Sequence, residues 1–265
     1  MNNTQTVLFD MDGTITEPRQ QIQSDTMHVI ECLSSKANIG IVTGSPIEYI
    51  EEQLKPALDN WDTSVLSKIT FYPCNGTQKY IFQKEGYILT SSANMIDEVG
   101  DKNYQDILVK CLEFQQTIVQ NYNLPYTGTF LQYRNSLLNW CPVGRDASDI
   151  ERAAWINADN NFKIRDQFKE LLSVFFKSSE IQATVALGGS TSFDIYPEGW
   201  DKTYVLRHVN QDTAWFLGDK CAEGGNDFEL FKTLSRKNRA FSVVSPADTI
   251  IKVMNLMSDL VVVNA

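Results

Sequence analysis

The sequence predicts an α/β protein: a core with a parallel sheet and helices on its faces, into which an α+β domain is inserted. Three observations carry that expectation. Strand-like apolar runs alternate with helical periodicity at the start of the chain, the same alternation returns near its end, and the block between follows another rhythm. The 265 residues, 43% hydrophobic and 21% charged, supply ample core for one or two domains.

The elements follow in order. VLFDMDG reads as a buried strand, and QSDTMHVIECLSS puts Met27, Ile30 and Leu33 on one face of a helix. NIGIVTGS is a second strand, and SPIEYIEEQL opens a helix with Ser45 as its N-cap and Pro46 at the first helical position. Residues 104–122 carry apolar side chains at 104, 107, 108, 111, 112, 118, 119 and 122, the spacing of an amphipathic helix. TFLQYRNSLLNWCPVG predicts a hairpin turning near Asn135 and Ser136, NFKIRDQFKELLSVFF a helix, and ATVALGG and SFDIYP two strands. Then come DKTYVLRHV as a helix, TAWFLGD as a strand, GGNDFELFKTL as a helix, RAFSVVS as a strand and PADTIIKVMNLM as a helix. The economical architecture is a core of residues 1–85 and 198–265 that shares one sheet, with residues 86–197 inserted. Clefts between domains are favoured places for ligands.

Composition narrows the function. A formal net charge of -10 argues against nucleic acid or an anionic membrane as the main partner. No run reaches the apolar length of a membrane span, and the start MNNTQT lacks the basic and apolar regions of a signal peptide, so the expected location is cytoplasmic. Cys32, Cys74, Cys111, Cys141 and Cys221 are odd in number and widely spread, which predicts reduced thiols with neither zinc nor disulfides. The sequons at Asn2 and Asn75 carry little weight without a signal peptide.

The chemistry gathers at strand ends. In an open α/β sheet, functional groups collect beyond the carboxyl ends of the strands, where Asp10, Asp12, Thr43 and Asp219 all fall. Asp10 and Asp12 repel each other unless something positive, or solvent, answers them. Carboxylate oxygens suit a hard cation such as magnesium, and an aspartate beside such a cation can attack phosphorus. Gly13 and the backbone amides after Asp10 suit phosphoryl oxygens, Thr43 offers a hydroxyl to the same group, and Lys202 is the candidate for the charge balance. A calcium loop fits poorly, because Gly13 falls too early and no glutamate closes the pattern. Further along, Arg134, Arg145 and Arg152 cluster in an otherwise acidic protein, which suits an anion held at a distance from the reacting centre. Their alternative is pairing with Asp146, Asp149 and Glu151.

DMDGT, VTGS, Lys202 and GDKCAEGGND resemble, in order, the four motifs of the haloacid dehalogenase superfamily of phosphotransferases. The resemblance implies a Rossmannoid core with an inserted cap, Asp10 as nucleophile forming an aspartyl phosphate, and Asp12 as general acid and base. It implies Gly13, Thr43, Gly44 and Lys202 as phosphate ligands, and Mg2+ among Asp10, Asp12, Asp219, Asn226 and Asp227.

YRNSLLNWCPVGRDASDIERAAW and ALGGSTSFDIYPEGWDKTYVLRHV are similar to segments of the eukaryotic-type phosphomannomutases, and with DGTITEPRQ and GDKCAEGGNDFELF the likeness runs from Val7 to Phe231. It implies Arg134, Arg145 and Ser192 on a distal phosphate, Asp194 on sugar hydroxyls, and Arg19 and Arg152 completing the substrate set. It further implies interconversion of sugar 6- and 1-phosphates, priming by a hexose 1,6-bisphosphate activator, a cap that excludes water and a homodimer formed through it. The chain departs from the family pattern at VTGSP, at PCNG, where Cys74 replaces an acid, at Ser136 in place of glycine and at Asp146 in place of serine. VTGS is closer to related sugar phosphatases, so a phosphatase of the same superfamily stands as the alternative, and a non-catalytic sugar-phosphate-binding protein as a third reading.

Overall fold

The computed structural model describes residues 5–84 and 86–262. The sequon at Asn2 and the end of the LVVVNA tail lie outside them. In chain order the elements are β1 (Thr6–Phe9), α1 (Ser24–Ser34), β2 (Asn38–Val42), α2 (Ile47–Asn60), α3 (Thr63–Leu66), β3 (Ile69–Tyr72), β4 (Gln78–Gln83) and β5 (Gly86–Ser92). There follow α4 (Met95–Val99), α5 (Asp101–Asn121), β6 (Leu131–Tyr133), β7 (Leu138–Trp140), α6 (Asp149–Phe162), α7 (Ile164–Ser178), β8 (Ala183–Gly188) and β9 (Ser192–Pro197). A 3-10 segment (Lys202–Arg207), β10 (Ala214–Gly218), α8 (Phe228–Ser235), β11 (Ala240–Ser242) and α9 (Pro246–Val262) complete the chain. The contacts divide it into two compact units, Met1–Ser92 with Trp200–Ala265, and Ala93–Gly199.

The first unit holds a sheet ordered β11-β10-β1-β2-β3-β4-β5, parallel from β11 to β3 and antiparallel beyond. The early and late alternating blocks therefore share one sheet, with Phe9 level with Leu217 on one side and Ile41 on the other. Both faces of the parallel part are covered, as such sheets require. Val7, Phe9, Ile39, Ile41, Ile69 and Phe71 pack into one cluster with buried residues of α1, α2 and α9. Leu8, Val42, Tyr72 and Phe216 point the other way, onto Val205, Leu206 and α8. Period-two alternation thus loads both layers from the same short strands. At the centre, a Cβ on Gly40 would lie 2.5 Å from Leu8 and 2.9 Å from Tyr72, so β2 fits only without a side chain there.

Three expectations are corrected. The cap of α2 is Pro46, held extended at φ -73 and ψ 170, while Ser45 is drawn into the turn after β2, where its N–H donates to Thr43 Oγ1 at 3.2 Å. The segment after Trp200 is a 3-10 turn of six residues instead of an α-helix. Lys202 is pinned at one end by buried carboxylates and His208 at the other by the Gly76 carbonyl, and Gly76 presses so close that a Cβ there would lie 2.9 Å from the Val205 nitrogen. The insertion, expected at 86–197, begins after Ser92 and ends at Gly199, because β5 pairs along β4 as the edge strand of the core sheet.

The second unit is a four-stranded antiparallel sheet, β6-β7-β9-β8, with α4 to α7. The expected hairpin turns at Asn135, whose φ of 62 is the left-handed value such a turn uses. Helix α5 buries Ile107, Cys111, Gln115 and Ile118. Gln115 is admitted because its side chain donates to Pro142 O at 3.0 Å and accepts from Trp140 Nε1 at 2.8 Å. Leu112 and Val119, which the periodicity placed on the apolar face, stay 55% and 45% exposed. Ser148 and Glu151 form a reciprocal capping box on α6. Among the described residues, no helix is long and apolar enough to cross a membrane.

Adding one methyl at the centre of β2, with Gly40→Ala, is expected to cost about 1–3 kcal/mol through overpacking. Urea unfolding checks it: the midpoint falls while the slope stays unchanged.

Candidate active site

The carboxyl ends of β1 and β10 deliver Asp10 and Asp219 to one edge of the sheet, and the turn entering α8 adds Asp227. One oxygen from each of these carboxylates lies within 4.8 Å of the other two. Lys202 enters the same group from the start of its 3-10 turn. Its Nζ donates to Asp10 Oδ1 and, at 2.5 Å, to Asp227 Oδ1. Lys202, Asp10 and Asp227 are all buried, and Asp227 Oδ2 also accepts from the Lys220 backbone N–H at 3.0 Å.

Electrostatics show what this group lacks. Burial pushes the Asp10 carboxyl up to about 6; Lys202 opposes the rise and Asp227 adds to it. Burial likewise raises Asp219. Burial alone would depress Lys202, but Asp10 and Asp227 hold it above the ordinary lysine value, so it stays charged. One ammonium facing three carboxylates leaves two negative charges uncompensated. Asp219 Oδ1 is buried with no hydrogen-bond partner, an orphaned acceptor of the kind a cation satisfies. The donor set, all oxygen and still negative after Lys202 is counted, fits a hard divalent cation.

Gly13 is forced by this geometry. Its φ is +85, and a Cβ there would lie 2.5 Å from Asp219 Oδ2. The loop then turns back through Thr14, whose Oγ1 reaches Asp10 Oδ2 at 3.5 Å. Asp12 stands apart from the three-carboxylate group. Its Oδ1 accepts from the Arg19 backbone N–H at 2.9 Å and from Gln53 Nε2 at 3.2 Å, and the Arg19 side chain is exposed. Gln53 is buried on the inner face of α2 and accepts from Thr16 Oγ1 at 2.6 Å. Sequence reasoning missed it, although a glutamine beside buried Ile50, Leu54 and Ala57 is a polar residue in an apolar rhythm.

Thr43 is buried at the end of β2, and its Oγ1 accepts the Ser45 N–H. Gly44 follows, with Asn75 Oδ1 lying 3.3 Å from where its Cβ would be. Asn226, next to Asp227, is exposed in the turn before α8.

The inserted unit has its own polar chain. Asp194 on β9 stands opposite Asn139 on β7 and Ala186 on β8. Asn139 Nδ2 donates to Asp194 Oδ1 at 2.7 Å, and Arg145 Nη1 donates to Asn139 Oδ1 at 2.8 Å. Ser192, two residues before Asp194, shares its face of the sheet and is buried. Arg134 Nε donates to Gln132 Oε1 at 3.0 Å, and Arg152 lies half-buried on α6. Arg145 therefore reaches Asn139, while Asp146 accepts from Thr129 and Glu151 is spent on the helix cap. Arg145, Asn139 and Asp194 make a connected set.

The sheet order, the inserted α+β unit and carboxylates gathered around a lysine define a member of the haloacid dehalogenase superfamily. Plasmodium falciparum IMP-nucleotidase shares the fold at a TM-score of 0.63 and 16% identity, over 96% of this chain and 70% of that one. Aspergillus fumigatus trehalose-6-phosphate phosphatase does so at 0.56 and 13%, over 96% and 92%. The eukaryotic phosphomannomutase family profile matches residues 26–259, and the chain belongs to that family. It is 37% identical to the phosphomannomutase of Saccharomyces cerevisiae over 92% of this chain and 91% of the relative. For phosphomannomutase 2 of Dictyostelium discoideum the values are 34%, 94% and 95%, and for human phosphomannomutase 1 they are 36%, 92% and 88%.

Replacing Lys202 by Met strands two buried carboxylates, and unfolding experiments should show a loss of about 3–5 kcal/mol. Gln53→Leu removes a donor from Asp12 without touching the lysine; kcat is expected to fall about ten- to a hundredfold with a far smaller change in melting temperature.

Proposed function

We propose that the chain interconverts mannose 6-phosphate and mannose 1-phosphate, with glucose phosphates as further substrates, through an Asp10 phosphorylated by a hexose 1,6-bisphosphate. The observation that carries this reading is the buried Asp10 carboxylate held against Lys202 beside two more carboxylates, in a chain of this family.

Asp10 Oδ1 is occupied by Lys202, while among the described residues Oδ2 has only the long contact to Thr14, so Oδ2 is the oxygen that attacks phosphorus. The bond between phosphorus and the sugar oxygen breaks, and the Asp12 carboxyl gives that oxygen its proton. In return, the hydroxyl at the other end of the monophosphate attacks the phosphorylated Asp10, and Asp12 takes up the hydroxyl proton. The two held contacts to Asp12 Oδ1 keep that carboxyl oriented through both halves. Lys202 and Thr43, with backbone N–H groups around Gly13 and Gly44, receive the phosphoryl oxygens. Magnesium, held by Asp10, Asp219 and Asp227 with Asp12 and Asn226 in the wider set, would screen the phosphoryl charge from the attacking carboxylate.

Arg134, Arg145, Arg152 and Ser192 hold the phosphate that is not reacting, Asp194 receives sugar hydroxyls, and Arg19 completes the contacts. Either phosphate occupies that distal position in turn, so it reads the phosphate and not one end of the sugar. Arginine, with its forked donors, suits that task. The reading places the enzyme in the cytoplasm, in mannose metabolism leading to GDP-mannose. It pairs two copies through the inserted unit, with the exposed Leu112 and Val119 of α5 in support.

The decisive assay supplies mannose 1-phosphate and magnesium, with and without glucose 1,6-bisphosphate, and follows mannose 6-phosphate and inorganic phosphate together. Bisphosphate-dependent mannose 6-phosphate with little free phosphate is the expected result; phosphate release alone would make the chain a phosphatase. Asp10→Asn is expected to lower turnover about a thousandfold or more. Chelation by EDTA should abolish turnover and lower the melting temperature, with both restored by magnesium in the parent and neither in Asp219→Asn. Arg145→Ala should raise KM more than it lowers kcat, as a group that binds ground and transition states alike does.

A further inference from the structure

On the sheet face that carries Leu8 and Tyr72, the 3-10 turn and α8 cover only part of the strands. Beyond them lies a cavity of about 290 Å³, and its lining includes Lys68, Lys79, His208, Ser67, Thr70 and Asn38. Thr6 and Asn38, which open β1 and β2, also border it, so it sits toward the strand ends opposite those that carry Asp10 and Thr43. At roughly 3.3 Å per residue, Thr6 lies about 13 Å along β1 from Asp10.

The charge of this cavity runs against that of the chain, which carries 33 acidic residues to 23 basic ones. Two lysines and an imidazole face it, and no aspartate or glutamate lines it among the described residues. Neither Lys68 nor Lys79 has an ion-pair partner among those residues. Like charges converging on one concavity repel unless an anion answers them. His208 reports the same field: burial lowers its ordinary value first, and the positive Lys79 and Arg207 lower it further against the Gly76 hydrogen bond. Its ring stacks on Tyr72 at 5.6 Å, and Nε2–H donates to Gly76 O at 2.9 Å, which leaves Nδ1 able to take up a proton when an anion arrives. Two ammonium groups, one imidazole and several hydroxyls match a dianion with three acceptor oxygens better than a single carboxylate.

We propose that this cavity, bounded by Lys68, Lys79 and His208, is a second anion site, separate from the carboxylate cluster, that takes a small phosphate-bearing molecule. The chain has two histidines, so imidazole NMR signals read the site directly, with the exposed His28 on α1 as the internal control. Inorganic phosphate is titrated into the whole protein at fixed pH and ionic strength. The His208 signals are expected to shift saturably and its titration midpoint to rise, while His28 stays fixed. Lys68→Gln/Lys79→Gln should abolish the shift and leave turnover near that of the parent, and Lys79→Gln alone should weaken it. Unmoved His208 signals overturn the proposal. So does an equal shift with chloride at matched ionic strength, which marks a general salt effect. A full shift retained in the double variant also overturns it, since phosphate would then act from the carboxylate cluster.

Discussion

Everything at the reacting edge depends on one buried cation facing too many anions. Lys202 is enclosed with Asp10 and Asp227, and a third carboxylate, Asp219, stands within reach of both. Burying such charges is costly, and a lone lysine cannot settle the account. The remaining negative charge suits a divalent cation, and it is such a cation, not the carboxylates, that would make room for an anionic group beside them. Lys202 also begins a short 3-10 turn. The lysine reaches the carboxylates at one end of the turn while His208, six residues on, is tied to Gly76 at the other.

Much of the fold was legible in the sequence, because a parallel sheet covered on both faces writes itself as continuous apolar runs separated by amphipathic stretches. TVLF, NIGIV and AWFLG are such runs, and all three became neighbouring strands. The edge of the sheet was less legible. In β5 every residue from Leu89 to Ser92 is exposed, so GYILTSS shows no burial pattern and reads as part of the insertion although its backbone belongs to the core. Ser45 was misread for a related reason: serine before proline is a good cap signal locally, but the turn after β2 claimed its N–H for Thr43.

At the site, polar residues at strand ends were visible, since Asp10, Thr43 and Asp219 each follow an apolar run. Gln53 was not. Its meaning lies in a contact to Asp12 forty-one positions away in sequence, and no local pattern encodes that. The Asn139 bridge between Arg145 and Asp194 was hidden likewise, because it depends on the register of β7 against β9.

Gly13 and Asp219 come from motifs at opposite ends of the chain, yet the space for a methyl on one is filled by the carboxylate of the other. The two stretches therefore behave as a single machined joint. A chimera that takes the N-terminal loop from one relative and the C-terminal motif from another inherits two halves whose tolerances were set apart. The error would surface as a misplaced Asp219 and not as a missing Asp10. Exchanging both stretches together is the condition for grafting this reacting edge onto another scaffold.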